Sequence, residues 1–236
     1  MAFFERYYGK VFKSLLWAIN PLKKQVIETE CQVHRFINYK SIKLLKKFDF
    51  DKEFELFNYY LEELNKGVVW ADQDFKSINH FYSPSKKRGL YGHSNALTLT
   101  MKYYNNALEF WKNEDIENAM FYLGACVHII QDITVPQHVN IRLLDSHRKY
   151  ENFVKVTYDI VAEYVSYEKP IKFSSLEHFI RFNSKQAMEI YNESKEIEDE
   201  KERFHHITKC ILPLSQRTTA GCLLLFLEEV GYKQLR

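Results

Sequence analysis

Apolar side chains recur at helical spacing along most of the chain, and strand-like alternation of apolar and polar residues is rare. Only 7 glycines and 5 prolines interrupt the pattern, and no Asn-Gly or Asp-Gly pair offers a hairpin turn. The pattern therefore predicts an all-α fold, a single multi-helix domain with prolines at the breaks between helices. The predicted helices cover residues 10–18, 22–46, 51–66, 94–113, 115–133, 148–166, 175–195, 199–210 and 213–230.

One long segment, residues 67–92, has no clear period and mixes polar with aromatic side chains. We predict a long loop there, and long loops in compact domains often carry function. The 236 residues fit one domain of ordinary size, so we expect residues 1–236 to form a single unit. An apolar share of 46% is enough for a core that needs no disulfide or metal to fold.

Charge and cysteine usage narrow the class of protein. A net charge of +2 does not indicate a nucleic-acid partner, and no run of about 18 apolar residues predicts a membrane span. The four cysteines are scattered in apolar surroundings without a Cys-x2-Cys pair, which argues against a thiolate zinc site. They are typical of buried, reduced thiols, and the chain start lacks a clear signal peptide.

The strongest chemical signal is a histidine and a carboxylate on one face of a predicted buried helix. His128 and Asp132 are four residues apart, so their side chains are neighbours, and apolar residues flank them. An ionised carboxylate in apolar surroundings needs a compensating partner, which a metal ion can supply. Pro136 then ends the helix, and His138 follows on the turn.

A second pair follows directly, because His147 and Glu151 are again four residues apart at the start of the next helix. Two such pairs on adjacent helices, with His138 between them, can converge in one pocket. Imidazole nitrogen and carboxylate oxygen are ligands that suit zinc, so the spacing favours a zinc site.

Three further residues have ordinary explanations when each is taken alone. His34 lies in an apolar helical pattern, where a hydrogen-bonded core histidine is the usual case. Asp72 and His80 lie in the predicted loop, where aspartate commonly forms turns.

These residues resemble a known family. The run from Phe121 to Asn140 resembles the signature Phe-Tyr-Leu-Gly-x3-His-x3-Asp-x3-Pro-x-His-x2-Asn of the zinc-dependent bacterial phospholipases C. That family includes Bacillus phosphatidylcholine-hydrolysing enzymes and the catalytic domain of clostridial alpha-toxins. The similarity extends from about His34 to Tyr232, through Trp70-Ala71-Asp72, Tyr150 to Val154 and Gln216 to Gly221.

The resemblance implies an all-helical fold with two to three zinc ions in one cleft. It implies hydrolysis of glycerophospholipids to diacylglycerol and a phosphorylated head group, through attack of a metal-activated water on phosphorus. Asp72 is the implied catalytic residue. One zinc would be held by Asp72, His80, His128 and Asp132, a second by His138, His147 and Glu151, and a third by His34 with Asp132 bridging.

Two departures leave details open. Secreted members begin with a tryptophan that completes the third zinc site, whereas the nearest tryptophan before His34 is Trp17. Gln73 and Ser77 replace the aromatic residues that box the choline cation in the Bacillus enzymes. Phe75, Phe81 and Tyr82 are candidates to take over substrate binding.

Expectations for partners follow from the resemblance as well. We expect a phospholipid substrate at a membrane or micelle interface, a monomer, no nucleic-acid partner and no C-terminal membrane-binding β-sandwich. The family is typically secreted, whereas this chain start favours the cytoplasm, so the compartment stays open. Two alternatives also stay open: a single-strand-specific zinc nuclease of the same fold, and a zinc- or lipid-binding member with weak catalysis.

Overall fold

Helix α5, Ile116–Asp132, is the central element of the computed structural model, which describes residues 31–73, 80–82, 95–140 and 144–232. Asp115 caps its first turn, because the carboxylate accepts a hydrogen bond from the backbone N–H of Asn118 at 3.2 Å. Every residue from Leu123 to Asp132 is buried. A helix that is apolar all round belongs in the interior, so α5 carries its polar residues into the core.

Eight other α-helices surround α5 in the described residues, with no strand, which confirms the predicted all-α fold. A short 3₁₀ turn, Ala162–Tyr164, links two of them. The helices are α1 Gln32–Lys47, α2 Asp51–Tyr59, α3 Leu61–Asp72, α4 Ala96–Lys112, α6 Pro136–Val139, α7 Leu144–Thr157, α8 Leu176–Ser194 and α9 Glu200–Glu229.

Two glycines let α3 and α5 cross at very short range. A Cβ atom on Gly67 would lie 1.8 Å from the carbonyl oxygen of Phe121, and one on Gly124 would lie 2.0 Å from that of Leu64. Only glycine allows the two backbones to approach this closely. The crossing fixes the end of α3, and therefore Asp72, beside the last turn of α5.

The core consists of two apolar clusters. The larger one packs α3, α4, α5, α8 and the C-terminal half of α9, with Leu64, Leu123 and Phe226 completely or almost completely buried. The smaller one joins α1, α7 and the N-terminal half of α9 through Ile37, Tyr150 and Ile211. The ends of α3 and α5 meet α1 and α7 between the two clusters, and the candidate site lies there.

Several predicted boundaries are wrong. The predicted helix 51–66 is two helices that meet at Tyr60, and the second continues through Gly67 to Asp72, so the predicted loop starts later. The helix predicted at 148–166 is α7, which begins at Leu144 and ends at Thr157. The predicted helix 10–18 and the start of 22–46 lie outside the described residues.

Pro213 does not break a helix as predicted, because it lies inside the continuous helix α9. By length and composition α9 could also cross a membrane, but 78% of its apolar window is buried inside the fold. Packing on both sides therefore accounts for its apolar character and for the tolerated proline, since tertiary contacts can outweigh a lost backbone hydrogen bond.

Candidate metal centre

Eight predicted ligands lie together where α1, α3, α5, α6 and α7 converge. We define the inner cluster as His34, Asp72, His80, His128 and Asp132, and the outer cluster as His138, His147 and Glu151. Within three groups of these residues, one donor atom from each member lies within 4.8 Å of the others: His34 with His128 and Asp132, Asp72 with His80 and His128, and the whole outer cluster. The spacing of these donors suits a shared cation.

The carboxylate of Asp132 is the centre of the inner cluster. His80 Nδ1 lies 2.6 Å and His128 Nε2 lies 3.1 Å from Asp132 Oδ2. His34 Nε2 lies 3.4 Å from the other oxygen, Oδ1. Three imidazoles from separate parts of the chain therefore face one buried carboxylate.

Three buried imidazole nitrogens in this region have no hydrogen-bond partner among the described residues. They are His80 Nε2, His128 Nδ1 and His138 Nδ1. Buried polar atoms are almost always hydrogen-bonded, because leaving one unsatisfied costs about 1–3 kcal/mol. Unpartnered imidazole nitrogens beside carboxylates are the donor set that zinc uses, so the residues fit a zinc site.

The charge states suit metal binding. Burial raises the pKa of Asp132, but the electrostatic attraction of His128 and the hydrogen bonds from His128 and His80 outweigh that effect and hold the pKa well below its usual range. Burial lowers the pKa of His138 to about 3, so its imidazole is neutral at physiological pH. Ionised carboxylate and neutral imidazole are the ligand forms that bind zinc.

The outer cluster lies nearer the surface. His147 Nε2 is 3.2 Å from His138 Nε2 and 3.2 Å from Glu151 Oε1. The side chain of Glu151 is 45% exposed and that of His147 is 22% exposed, whereas His128 is fully buried. His138 is the buried member of the outer cluster and is therefore the one nearest in environment to the inner cluster. Its backbone belongs to the short helix α6.

Gln131 orients His34, a role that the sequence analysis missed. His34 Nδ1 donates to Gln131 Oε1 at 2.8 Å, so the lone pair of His34 Nε2, 3.4 Å from Asp132 Oδ1, is available to bind a cation. The amide of Gln131 donates to Asn38 Oδ1 at 2.8 Å and to Thr219 Oγ1 at 3.2 Å. A glutamine inside the buried run of α5 is the signal that could have identified it.

Cys31 also differs from its expected apolar surroundings. Its Sγ lies 3.9 Å from Asp72 Oδ2, and the residue is buried at the start of α1. Burial raises the pKa of Asp72, but the charges of His128 and His80 outweigh this effect, so the pKa of Asp72 is lowered.

Asp72 is the last residue of α3 and not a loop residue as predicted, since α3 extends to the site.

Six residues of the two clusters line one cavity. They are His34, Asp72, Asp132, His138, His147 and Glu151. Apolar side chains line the same cavity, including Val33, Val135, Val154, Ile211 and Leu212, and Lys155 lies among the lining residues. A lining that combines charged groups with apolar side chains suits a ligand that joins an anionic group to hydrocarbon.

The candidate substrate residues have different placements. Phe75 lies outside the described residues. Phe81 is 8% exposed and stacks on His138 with ring centroids 5.2 Å apart, and Tyr82 is 3% exposed in the larger core cluster. Neither is among the described residues that line the cavity. Their burial favours a supporting role, in which Phe81 fixes the ring of His138.

The fold and site together define an all-helical protein with a cluster of histidines and carboxylates in one cleft. Residues 33–207 match the sequence profile of the zinc-dependent phospholipase C family. The chain belongs to this family.

Known relatives agree with this assignment. A phospholipase C of Bacillus cereus is 33% identical over 116 residues, which are 44% of this chain and 41% of the relative. A phospholipase C of Paraclostridium bifermentans is 25% identical over 213 residues, 75% of this chain and 52% of the relative. The matches thus span about half the length of these curated relatives.

A solved structure shows the same fold. The alpha-toxin from Clostridium absonum superimposes with a TM-score of 0.69 at 20% identity, over 86% of this chain and 65% of the toxin. At 20% identity, this similarity establishes the shared fold alone.

Proposed function

We propose that the protein is a zinc-dependent phospholipase C that hydrolyses glycerophospholipids to diacylglycerol and a phosphorylated head group. The observation that carries the proposal is the convergence of His34, His80 and His128 on the single buried carboxylate of Asp132. Family membership and the mixed charged and apolar lining of the cavity support the substrate class.

The proposed ligand sets follow the two clusters. Asp72, His80, His128 and Asp132 would hold one zinc ion, and His138, His147 and Glu151 would hold a second. His34 and Asp132 would contribute to a third. When bound, zinc neutralises the charge of a phosphodiester and lowers the pKa of a coordinated water toward about 7.

The proposed role of Asp72 is to orient an attacking water and accept its proton. The lowered pKa keeps this carboxylate ionised at neutral pH, and its side chain lines the cavity beside both clusters. A general base contributes about 10²–10⁴-fold to the rate of a reaction of this kind. Gln131 and Phe81 would hold His34 and His138 in position.

The test is the substitution Asp72→Asn, which keeps the shape of the side chain and removes its basicity. We expect turnover of phosphatidylcholine micelles to fall by about 10²–10⁴-fold while most of the zinc stays bound. The matched control is Asp51→Asn, an exposed aspartate at the start of α2, which should leave turnover unchanged. Unchanged kinetics for Asp72→Asn would remove this residue from the reaction.

Substrate comparison separates the proposal from its alternatives. We expect release of a phosphorylated head group from phosphatidylcholine and no cleavage of single-stranded DNA by the zinc-loaded protein. Cleavage of DNA without lipid hydrolysis would indicate a nuclease. Full zinc occupancy with no hydrolysis of any phosphodiester tested would indicate a binding protein.

A further inference from the structure

The outer side of α1 is strongly basic. This helix carries Arg35, Lys40, Lys43, Lys46 and Lys47 and contains no acidic residue. Its five positive charges exceed the net charge of +2 for the entire chain, so the rest of the protein is net acidic. Among the described residues, no ion pair neutralises Lys40, Lys43 or Lys46, and such an asymmetric field favours an anionic partner.

Aromatic rings lie between these lysines. Lys40 Nζ lies over the rings of Phe36 and Tyr39, at 5.3 and 5.8 Å from their centroids. Lys43 Nζ lies 5.4 Å from the centroid of Tyr39, a residue that is 44% exposed. The ammonium groups of these lysines therefore lie over aromatic rings, in the cation–π arrangement.

Apolar side chains extend this surface beyond α1. Tyr158 packs edge-on against Phe36 with centroids 5.1 Å apart, and its hydroxyl donates to Gln32 Oε1 at 3.4 Å. Two positions before and after Tyr158 in the sequence, Val156 is 70% exposed and Ile160 is 75% exposed. Farther along, Tyr167 is 67% exposed and lies under Lys47, with 4.7 Å between Nζ and the ring centroid.

We define the docking surface as the outer side of α1 together with Val156, Tyr158, Ile160 and Tyr167. It borders the cavity, because Val33 and His34 from the first turn of α1 and Val154 and Lys155 of α7 all line the cavity. A flat partner that lies on the docking surface is thereby brought close to the cavity of the candidate metal centre.

We propose that the docking surface binds the face of a lipid bilayer that contains anionic phospholipids. Lysines interleaved with aromatic rings, in a region that also exposes aliphatic side chains, match an interface where charged head groups lie above hydrocarbon. The isolated aliphatic residues Val156 and Ile160 fit lipid better than nucleic acid, whose bases stack on open aromatic faces. This docking proposal depends on the proposed function in one respect, because the purpose of docking would be to bring the cavity to its phospholipid substrate.

Cosedimentation with vesicles tests the charged part of the surface. Two vesicle types are compared, phosphatidylcholine alone and phosphatidylcholine mixed with phosphatidylserine. Each lysine near an anionic bilayer contributes about fivefold to binding, so Lys40→Gln with Lys43→Gln should weaken binding to the mixed vesicles by about 30-fold at low salt. Lys102→Gln with Lys112→Gln on α4 removes the same charge elsewhere and should have little effect.

A second double variant tests the apolar part. Val156→Ser with Ile160→Ser should weaken binding to both vesicle types by about tenfold, because less hydrocarbon is buried in the interface. Met101→Ser, which changes another exposed apolar side chain, is the control. Equal binding of wild type and both double variants to the mixed vesicles would overturn the proposal.

A soluble short-chain phosphatidylcholine separates this proposal from the proposed function. If docking is correct, both double variants hydrolyse the dissolved substrate at the wild-type rate and lose activity only on vesicles. If the wild type hydrolyses the dissolved substrate but binds no anionic vesicles, docking is wrong and the enzymatic function stands. Lysine-dependent binding to an oligothymidine strand without binding to vesicles would also overturn docking.

Discussion

The inner and outer clusters use the same chemistry in different surroundings. The inner cluster is built around the buried carboxylate of Asp132, and two of its histidines are completely buried. The outer cluster ends in Glu151, whose side chain is nearly half exposed. Leaving buried ligands without a cation costs more free energy than leaving exposed ligands without one. The two clusters should therefore differ in how strongly they retain zinc and in how much they stabilise the fold.

The difference originates in the supporting helices. The inner residues His128 and Asp132 belong to α5, whose backbone is in direct contact with α3 through Gly67 and Gly124. The outer residues belong to the four-residue helix α6 and to the first turns of α7. A ligand on a long buried helix is held by packing, whereas the outer ligands are held mainly by one another and by the stacked ring of Phe81.

The largest effect is expected at the centre of the inner cluster. Asp132→Asn keeps the side-chain volume but removes the charge that His34, His80 and His128 face. Losing a hydrogen-bond partner of a metal ligand costs about 10–100-fold in affinity, so losing a shared ligand should weaken zinc binding by about 1,000-fold or more. Zinc content after dialysis measures this, and wild-type retention by the variant would contradict the bridging role.

The second-largest effect is expected at the crossing of α3 and α5, which supports the inner cluster. Gly124→Ala places a methyl group 2.0 Å from the carbonyl oxygen of Leu64, so α3 and α5 must separate. We expect a loss of about 3 kcal/mol in the free energy of unfolding, at the upper end of overpacking costs. Gly231→Ala is the control: its φ of 67° is unfavourable for alanine, but among the described residues, its two chain neighbours aside, no atom lies within 4 Å of the added Cβ. Backbone strain of about 1 kcal/mol is therefore the expected cost.

Local spacing in the sequence is sufficient to predict which ligand residues share a helical face. The spacing of His128 with Asp132 and of His147 with Glu151 placed each pair on one helical face, because that geometry is set within one turn. No local pattern could bring His34 to Asp132, since this approach depends on packing between distant helices. Resemblance to the family supplied that expectation.

Long-range packing also explains the missed boundaries. Gly67 looked like the start of a loop, but the crossing with Phe121 needs a glycine inside a helix. Pro213 looked like a break, but the apolar surroundings of α9 hold the helix together on both sides of it. The role of Gln131 was invisible for the same reason, because its partners Asn38 and Thr219 are far away in sequence.

Gln131→Leu should have an intermediate effect on the inner cluster. The change leaves His34 Nδ1 and Asn38 Oδ1 without their partner at 2.8 Å. We expect about 2 kcal/mol lower stability for the zinc-free protein and zinc affinity reduced by about 10–100-fold. Chemical denaturation and competition with a zinc chelator measure the two quantities, with the partly exposed Gln186→Leu as control. Lower stability at unchanged zinc affinity would show that Gln131 supports packing alone.

The smallest effect is expected in the outer cluster. Glu151→Gln removes one half-exposed carboxylate, and the imidazole nitrogens of His138 and His147 remain 3.2 Å apart. Water can replace the lost oxygen at an exposed position, so zinc affinity of the outer cluster should fall only about tenfold, near the lower end of the range for a partner group. The zinc-free protein should keep its stability, because an exposed ion pair contributes little.

Chelator titration separates the two clusters in this variant. As chelator is added, the variant should release its outer zinc earlier than the wild type and its inner zinc at the same concentration. The exposed Glu163→Gln, whose carboxylate pairs with His205 far from both clusters, should match the wild type throughout. Simultaneous release of all zinc from the Glu151→Gln variant would mean that the two clusters behave as one site, in which case burial does not set their relative affinity.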